Sequence, residues 1–225
     1  MKKIISFSLW GSNPIYTLGA IENATLAEKH YPGWICRYYL ADSVPEEIID
    51  LLSNRDNVEI VKMGLGKTID PTYNGPSADR SWDIAMYWRF YPASESDCEV
   101  MISRDTDSRL NSREAAAVKE WLESGKSFHI MRDHPAHGTE ILGGMWGVKG
   151  NKLNNMKNMI KNSKLEVDQN FLRHEIYPLI KNDCCVHDEF FEKKPFPTKR
   201  KPGLFIGQGF DENNNKLNPQ HGDMV

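Results

Sequence analysis

The chain has 225 residues, 40% of them hydrophobic, which is enough to bury one sizeable α/β core, and we expect a single domain over residues 1–225. A net charge of −3 gives no general attraction to nucleic acid or acidic lipid, so no nucleic acid is expected as a partner. The four cysteines lack C-x-x-C spacing, the N-terminal apolar run is too short for a signal peptide, and no segment approaches the length of a membrane span. We therefore expect a reduced, cytoplasmic protein without a transmembrane segment.

The first third of the chain alternates strand and helix patterns. Pro14 opens the first predicted helix, and Pro32-Gly33 stops it. The predicted strands are 3–9, 34–40 and 58–61, and the predicted helices are 14–30 and 45–52. This order is βαβαβ.

The rest of the chain continues the alternation after a loop at 64–80. That loop is rich in Gly, Pro, Asn and Asp, which suits a segment that becomes ordered on binding. The predicted helices are 83–91, 112–123, 152–162 and 168–180, and the predicted strands are 99–103, 128–131 and 141–148. Beyond residue 183, short apolar runs mix with basic, Pro-rich loops. The pattern predicts an α/β fold with a mostly parallel sheet, helices on both faces, and ligands at the carboxyl ends of the strands.

Asp105-Thr106-Asp107 is the only Asp-x-Asp in the chain, and it follows the apolar strand that contains Val100-Met101-Ile102. Residues i and i+2 of an extended segment project the same way, so the two carboxylates can share one ion. Oxygen ligands favour Mn²⁺ or Mg²⁺ over softer metals. Two carboxylates leave room for an anionic ligand such as a nucleotide diphosphate, whose departing charge the ion can neutralise.

Four further motifs accompany this pair in a fixed order. They are Arg89 within residues 87–92, Gly143-Gly144, Asp168-Gln169 and His187. The order resembles that of Rossmann-like GT-A glycosyltransferases, and most closely the retaining family that includes glycogenin and bacterial lipopolysaccharide galactosyltransferases. In that family an arginine-bearing helix precedes the Asp-x-Asp strand, glycines line the donor sugar, Asp-Gln opens a helix, and a late histidine joins the metal. The resemblance covers roughly residues 3–196.

The resemblance implies a role for each motif. Asp105, Asp107 and His187 would hold Mn²⁺ or Mg²⁺, and Asp168 and Gln169 would be catalytic, facing the donor sugar and the acceptor. Donor-binding residues would include Arg89, Asp105, Gly143 and Gly144, and from their own positions we add Trp10, which ends the first strand, and Arg104, which adds positive charge.

Two departures from the family pattern concern the metal and the pyrophosphate. Arg104 stands where the family has an apolar residue. The family ending His-x-x-Gly-x-x-Lys-Pro-Trp is only echoed by His187 and Lys194-Pro195-Phe196. His134 and His137 therefore compete with His187 as the third metal ligand.

Most candidate residues also have a structural interpretation. Arg89 can lie along the core, Arg104 and Arg109 can form salt bridges with the carboxylates, and Asp168 can be a helix N-cap. Gly143-Gly144 can be a bulge, and Trp10 can serve packing alone. The lysines and Arg200 within 193–201 form either a solvated basic loop or a phosphate clamp.

The sequence thus predicts a metal-dependent glycosyltransferase that moves a sugar from a nucleotide-diphosphate donor to a glycan or other hydroxyl acceptor, with retention. One alternative is a non-catalytic protein that binds sugar nucleotides. Another is a phosphatase of the haloacid dehalogenase type, although the position of the motif and Ser108-Arg109 after it fit that class poorly. No motif encodes the base, the sugar or the acceptor.

Overall fold

The computed structural model describes residues 1–64, 81–150, 152–165 and 167–225. The loop expected at 64–80 lies outside these residues except for Gly64. A seven-stranded sheet runs in the order β3-β2-β1-β4-β6-β5-β7. Its strands are β1 (Lys2–Leu9), β2 (Ile35–Leu40), β3 (Val58–Lys62), β4 (Cys98–Ser103), β5 (Phe128–Arg132), β6 (Trp146–Lys149) and β7 (Cys184–Asp188).

Neighbouring strands are parallel except where β6 pairs antiparallel with both β4 and β5. The sheet is therefore mostly parallel, as predicted. The α-helices are α1 (Pro14–His30), α2 (Glu46–Ser53), α3 (Ser81–Trp88), α4 (Ser112–Glu123), α5 (Met156–Asn162), α6 (Asp168–Phe171), α7 (Tyr177–Ile180) and α8 (Pro219–Gly222). No helix in the described part of the chain is long and apolar enough to cross a membrane.

Two apolar cores cover the two faces of the sheet. On one face α1, α2 and α4 pack against the sheet through residues such as Ala24, Leu52 and Trp121. On the other face α3, α5 and α6 pack against the sheet through residues such as Tyr87, Met156 and Phe171. Helices on both faces leave the carboxyl end of β4 as the place where side chains can meet a ligand.

The structure departs from the predicted boundaries in several places, and β7 was not predicted. The predicted strand 141–148 begins only at Trp146, because residues before it form a loop across the end of β4. The predicted helix 168–180 is α6, a π-helical turn at Leu172–Ile176, and α7. Pro178 has no amide hydrogen to donate to residue 174, so a regular α-helix cannot continue through this point. The helix predicted at 83–91 ends at Trp88, and a separate 3₁₀ turn with Pro92 in its first turn follows at Tyr91–Ser94.

Candidate functional site

The two carboxylates of the Asp-x-Asp motif lie directly beyond the end of β4, the central strand of the sheet. Arg104 N–H continues the pairing with β1 by donating to Ser6 O at 3.0 Å, and the chain then turns away. A small cleft of about 60 Å³ opens at this point. We call it the carboxylate cleft; it is lined by Ser8, Leu9, Trp10, Tyr16, Arg89, Asp105, Thr106 and Asp107.

Arg89 bridges two carboxylates that are far apart in the sequence. One of its terminal nitrogens donates to Asp105 Oδ1, and the other donates to Asp168 Oδ2 at 2.6 Å. Burial acts to lower the pKa of Arg89, but the charges of Asp105 and Asp168 outweigh burial and raise it. The guanidinium is therefore a fixed cation between the Asp-x-Asp motif and α6.

Asp107 is the member of the pair without a counter-charge. It forms no ion pair with any residue that the structure describes, although Arg89 and Arg109 lie near enough to act on it. Burial, and next the charge of Asp105, raise its pKa to about 6. Burial and then the charges of Asp107 and Asp105 also raise the pKa of Tyr16, at the cleft wall. The cleft thus holds an excess of negative charge.

Gly143 and Gly144 run directly against these charged groups. A Cβ atom on Gly144 would lie 1.9 Å from Asp105 Oδ2, and one on Gly143 would lie 2.5 Å from an Arg89 terminal nitrogen and 2.8 Å from Asp168 Oδ2. Any side chain at these positions must displace the Arg89 bridge or Asp105. The glycines are thus needed for the carboxylate arrangement itself, a reason that the sequence did not suggest.

Asp168 and Gln169 begin α6 beside the glycine loop. Asp168 is buried and does not cap the helix; Val167 occupies the N-cap position, and the Asp168 carboxylate instead pairs with Arg89. Gln169 Oε1 accepts from Gly143 N–H at 3.2 Å, and its Nε2 donates to Ile141 O. In this arrangement Gln169 fixes the glycine loop.

Arg104 does not reach the carboxylate cleft, which corrects the expectation that it contacts the donor. The residue is 1% exposed, and its Nε donates to Glu114 Oε1 at 2.8 Å. Tyr31 donates to the same Glu114 oxygen. An arginine next to Asp105 in an extended segment points to the opposite side, and here it forms a buried ion pair with α4.

None of the three candidate histidines joins the carboxylate pair. His187 on β7 is buried, with Nδ1 2.8 Å from His129 Nε2 and Nε2 3.4 Å from Glu120 Oε1. His134 contacts His137 and His221 near the C-terminus. The expected role of His187 as third ligand therefore lacks support, since β6 and β5 separate β7 from β4.

Two residues of α1 that the sequence reasoning missed hold the Asp-x-Asp loop in place. Asn23 is fully buried; its Nδ2 donates to Thr106 O at 3.2 Å and to Ser108 O at 2.8 Å, and its Oδ1 accepts from Leu110 N–H. Gly19, one turn earlier, allows the close approach, because a Cβ there would lie 2.2 Å from Thr106 O. The sequence signal that could have identified this contact is the spacing of Gly19 and Asn23, which lie at i and i+4 on one face of α1.

The C-terminal segment also reaches the site, which no motif indicated. Phe210 N–H donates to Asp107 O at 2.8 Å. A Cβ on Gly209 would lie 3.8 Å from Asp107 Oδ2. Trp10, at the other side of the cleft, packs against the cluster of Tyr39, Ala41, Ala85 and Trp88.

The chemistry of the cleft fits a hard divalent cation. Two adjacent carboxylates supply oxygen ligands, and the raised pKa of Asp107 reflects a negative charge that a cation would stabilise. The described residues contain no cluster of three His, Cys, Asp or Glu side chains that could complete a protein-only site. The remaining ligands would have to be water and an anionic substrate.

No protein-family model matches the sequence, and no curated protein matches it. Solved structures do. A glycosyltransferase involved in the glycosylation of the major capsid of PBCV-1 is 16% identical, with a TM-score of 0.52 over 99% of this chain and 100% of that chain. The galactosyltransferase LgtC, solved with donor and acceptor sugar analogues, is 16% identical, with a TM-score of 0.51 over 84% of this chain and 74% of that chain.

A third similar structure belongs to another class of transferase. The 4-diphosphocytidyl-2C-methyl-D-erythritol synthase of Anaerococcus prevotii is 11% identical, with a TM-score of 0.52 over 88% of this chain and 92% of that chain. At these identities the similarity establishes the fold. The chain has the α/β architecture of GT-A glycosyltransferases and of a nucleotidyltransferase, which confirms the fold class predicted from the sequence.

Proposed function

We propose that this protein is a metal-dependent glycosyltransferase that moves a sugar from a nucleotide-diphosphate donor to a glycan or other hydroxyl acceptor, with retention. The observation that carries the proposal is the pair Asp105 and Asp107 at the carboxyl end of the central strand. Asp105 pairs with Arg89, whereas Asp107 forms no ion pair with any described residue. Two sugar transferases with the same fold, one solved with donor and acceptor analogues, support this choice.

Each residue of the cleft has a role in the proposed reaction. Asp105 and Asp107 would hold Mn²⁺ or Mg²⁺, which neutralises charge on the departing diphosphate. Arg89 keeps Asp105 oriented, and it adds positive charge beside the same leaving group. Trp10 and Tyr16 form the wall against which the nucleoside would lie.

Asp168 and the glycine loop would lie beneath the donor sugar. Gly143 and Gly144 let a sugar approach the Arg89 bridge, and Gln169 fixes this loop through its two backbone hydrogen bonds. Asp168 would stabilise positive charge that develops at the anomeric carbon. The motif order resembles that of a retaining family, and on that basis we propose that the acceptor attacks from the leaving-group side, with retention.

The first test identifies what leaves the donor. Nucleotide sugars, nucleoside triphosphates and a phosphate monoester are each incubated with Mn²⁺ or Mg²⁺ and a mixed glycan acceptor, and the released species is measured. Sugar transfer releases a nucleoside diphosphate, nucleotidyl transfer from a nucleoside triphosphate releases pyrophosphate, and a phosphatase releases inorganic phosphate. Metal-dependent binding without any release would identify a non-catalytic sugar-nucleotide-binding protein.

The second test is the substitution Asp168→Asn. It keeps the shape of the side chain but removes its charge, so we expect kcat to fall by at least about a hundredfold, as for other charged groups at a reacting centre. Proton NMR of the new linkage should show the anomeric configuration of the donor. An inverted product would contradict the assignment of retention, and a wild-type kcat would reduce Asp168 to an anchor for Arg89.

A further inference from the structure

A second cavity lies beside the carboxylate cleft and takes no part in the proposed chemistry. Its volume is about 200 Å³, compared with roughly 300–1,000 Å³ for pockets that enclose drug-sized ligands, so it suits a single small unit. We call it the basic cavity; it lies between the start of α4 and the segment that runs from Thr198 to Phe210.

Its lining combines positive charge with apolar surface. The described lining residues include four basic side chains and no acidic one. The charge of Arg113 is balanced by Asp133 and Glu189. Arg109 donates to neutral oxygens, and the carboxylates of Glu22, Asp107 and Asp211 lie near it. Lys199 and Lys201, in contrast, are exposed and form no ion pair with any described residue. The uncompensated positive charge at this cavity therefore comes from these two lysines.

Gln208 provides the hydrogen-bonding group. It lines the cavity and is 3% exposed, yet neither its Nε2 nor its Oε1 has a hydrogen-bond partner among the described residues. Leaving both ends of a buried amide unpaired is costly, and such a group in a native structure calls for a ligand or an ordered water. An amide offers a donor and an acceptor together, which matches the neighbouring hydroxyls of a sugar ring.

The basic cavity adjoins the carboxylate cleft through one short segment. Gln208 and Phe210 face the cavity, whereas Gly209 between them faces Asp107. Phe205 and Phe210 supply apolar surface for the C–H face of a ring. Arg109 links the two sides, because it lines the cavity and donates to Thr106 O within the Asp-x-Asp motif.

We propose that the basic cavity is a carbohydrate-binding site for a monosaccharide unit that carries an anionic substituent, a carboxylate or a phosphate. Lys199 and Lys201 contact the anionic group, Gln208 contacts ring hydroxyls, and Phe205 and Phe210 pack against the ring. In a transfer reaction this unit belongs to the acceptor and is not the sugar that reacts. The acceptor role rests on the proposed function, whereas binding at this site does not.

The test is calorimetry with the full chain in EDTA without nucleotide. The probes are glucuronate, glucose 6-phosphate, glucose and inorganic phosphate. We expect both anionic sugars to bind at least about tenfold more tightly than glucose or inorganic phosphate, the factor that one charge-assisted hydrogen bond supplies. Comparison of the carboxylate with the phosphate identifies which anion the site prefers.

Matched variants locate the binding. The double substitution Lys199→Gln, Lys201→Gln should weaken both anionic sugars about tenfold, whereas Lys161→Gln, Lys164→Gln removes two exposed lysines elsewhere and should change nothing. Gln208→Leu should weaken every sugar and leave inorganic phosphate unchanged. Glucose binding as tightly as glucuronate, inorganic phosphate binding as tightly as the anionic sugars, or a double lysine variant with wild-type affinities would overturn the proposal.

The Asp107→Ala variant separates this site from the cleft. It should lose metal-dependent nucleotide binding yet bind glucuronate or glucose 6-phosphate like the wild type. Sugar binding without transfer from any donor would contradict the proposed function and leave the cavity assignment in place. Sugar transfer by a protein that binds no anionic sugar would contradict the cavity assignment and leave the proposed function in place.

Discussion

Asp107 is the residue through which the carboxylate cleft affects the free energy of unfolding. Its folded-state pKa is about 6, whereas an unfolded aspartate titrates near about 3.9. The native state therefore holds this proton more tightly than the unfolded state. The stabilisation from this group is complete below pH ~4 and is lost as the pH rises through about 6, so the ionised carboxylate destabilises the fold at neutral pH.

Asp107→Asn should remove this cost. In EDTA at pH 7.5 we expect the free energy of unfolding to rise by roughly 1–2 kcal/mol, a value reduced from the full shift because the group is partly exposed. Urea denaturation between pH 5 and 8 measures it, and Asp56→Asn, at an exposed position, is the control. The same variant should lose Mn²⁺-dependent nucleotide binding. A variant less stable than wild type at pH 7.5 would contradict this account.

Gly144 sets the geometry of Asp105. In Gly144→Ala the new methyl group would collide with the carboxylate, so Asp105 must rotate away from the cleft. We expect transfer to fall about a hundredfold, the scale for a displacement of about 1 Å at a reacting centre. Gly138→Ala is the matched control, because a Cβ there meets no atom within 4 Å. Equal rates in the two variants would show that Asp105 needs no exact placement.

At the scale of elements, α1 carries the Asp-x-Asp loop. Asn23→Ala would leave Leu110 N–H without its acceptor, and it would remove one of the two donors to each of Thr106 O and Ser108 O, since Arg109 also donates to both. We expect a loss of about 2–3 kcal/mol in unfolding free energy, together with a lower affinity for Mn²⁺. Thr25→Ala on the same helix removes only an exposed hydroxyl and should be neutral. A stable Asn23→Ala protein with normal Mn²⁺ affinity would contradict the tether.

Element predictions succeeded where local signals were strong. Pro14 and Pro32-Gly33 bracket α1 closely, and the apolar run at Val100 identified β4. The prediction for 141–148 was wrong at its start, because the hydrogen bond from Ser103 Oγ to Gly143 O and the packing of Gly144 on Asp105 decide where β6 begins. These contacts join residues about forty positions apart, and no local pattern encodes them.

At the scale of the whole molecule, sheet order determines which candidates meet. Arg89 and Asp168 are 79 residues apart in sequence and share an ion pair, because β6 lies between β4 and β5 and brings the glycine loop and α6 to the end of β4. The same order carries His187 to the edge strand. The motif order thus indicated Asp105, Asp107, Asp168 and the glycines correctly as neighbours, but it could not separate His187 from them.

The C-terminal segment contacts the carboxylate cleft from a distant part of the sequence. A chain that ends at residue 202 would lose the Phe210 contact with Asp107 and the Ile206 N–H donated to Asp133, while all seven strands remain. We expect far-UV circular dichroism close to wild type and at least about a tenfold loss of Mn²⁺-dependent nucleotide affinity. A control chain that ends at Asn218 removes only α8 and the last residues. Full affinity in the shorter chain would show that Asp107 needs no support from this segment.

The ion pairs of Arg89 with Asp105 and Asp168 should link metal binding thermodynamically to substrate binding. One guanidinium forms ion pairs with both Asp105 and Asp168. A metal ion that attracts Asp105 would weaken its ion pair with Arg89 and thereby strengthen the ion pair between Arg89 and Asp168. By reciprocity, a substrate that engages Asp168 must alter metal affinity at Asp105 by the same factor. We therefore expect the two halves of the site to bind cooperatively, and we expect this coupling to be lost when Arg89 is replaced by a neutral residue.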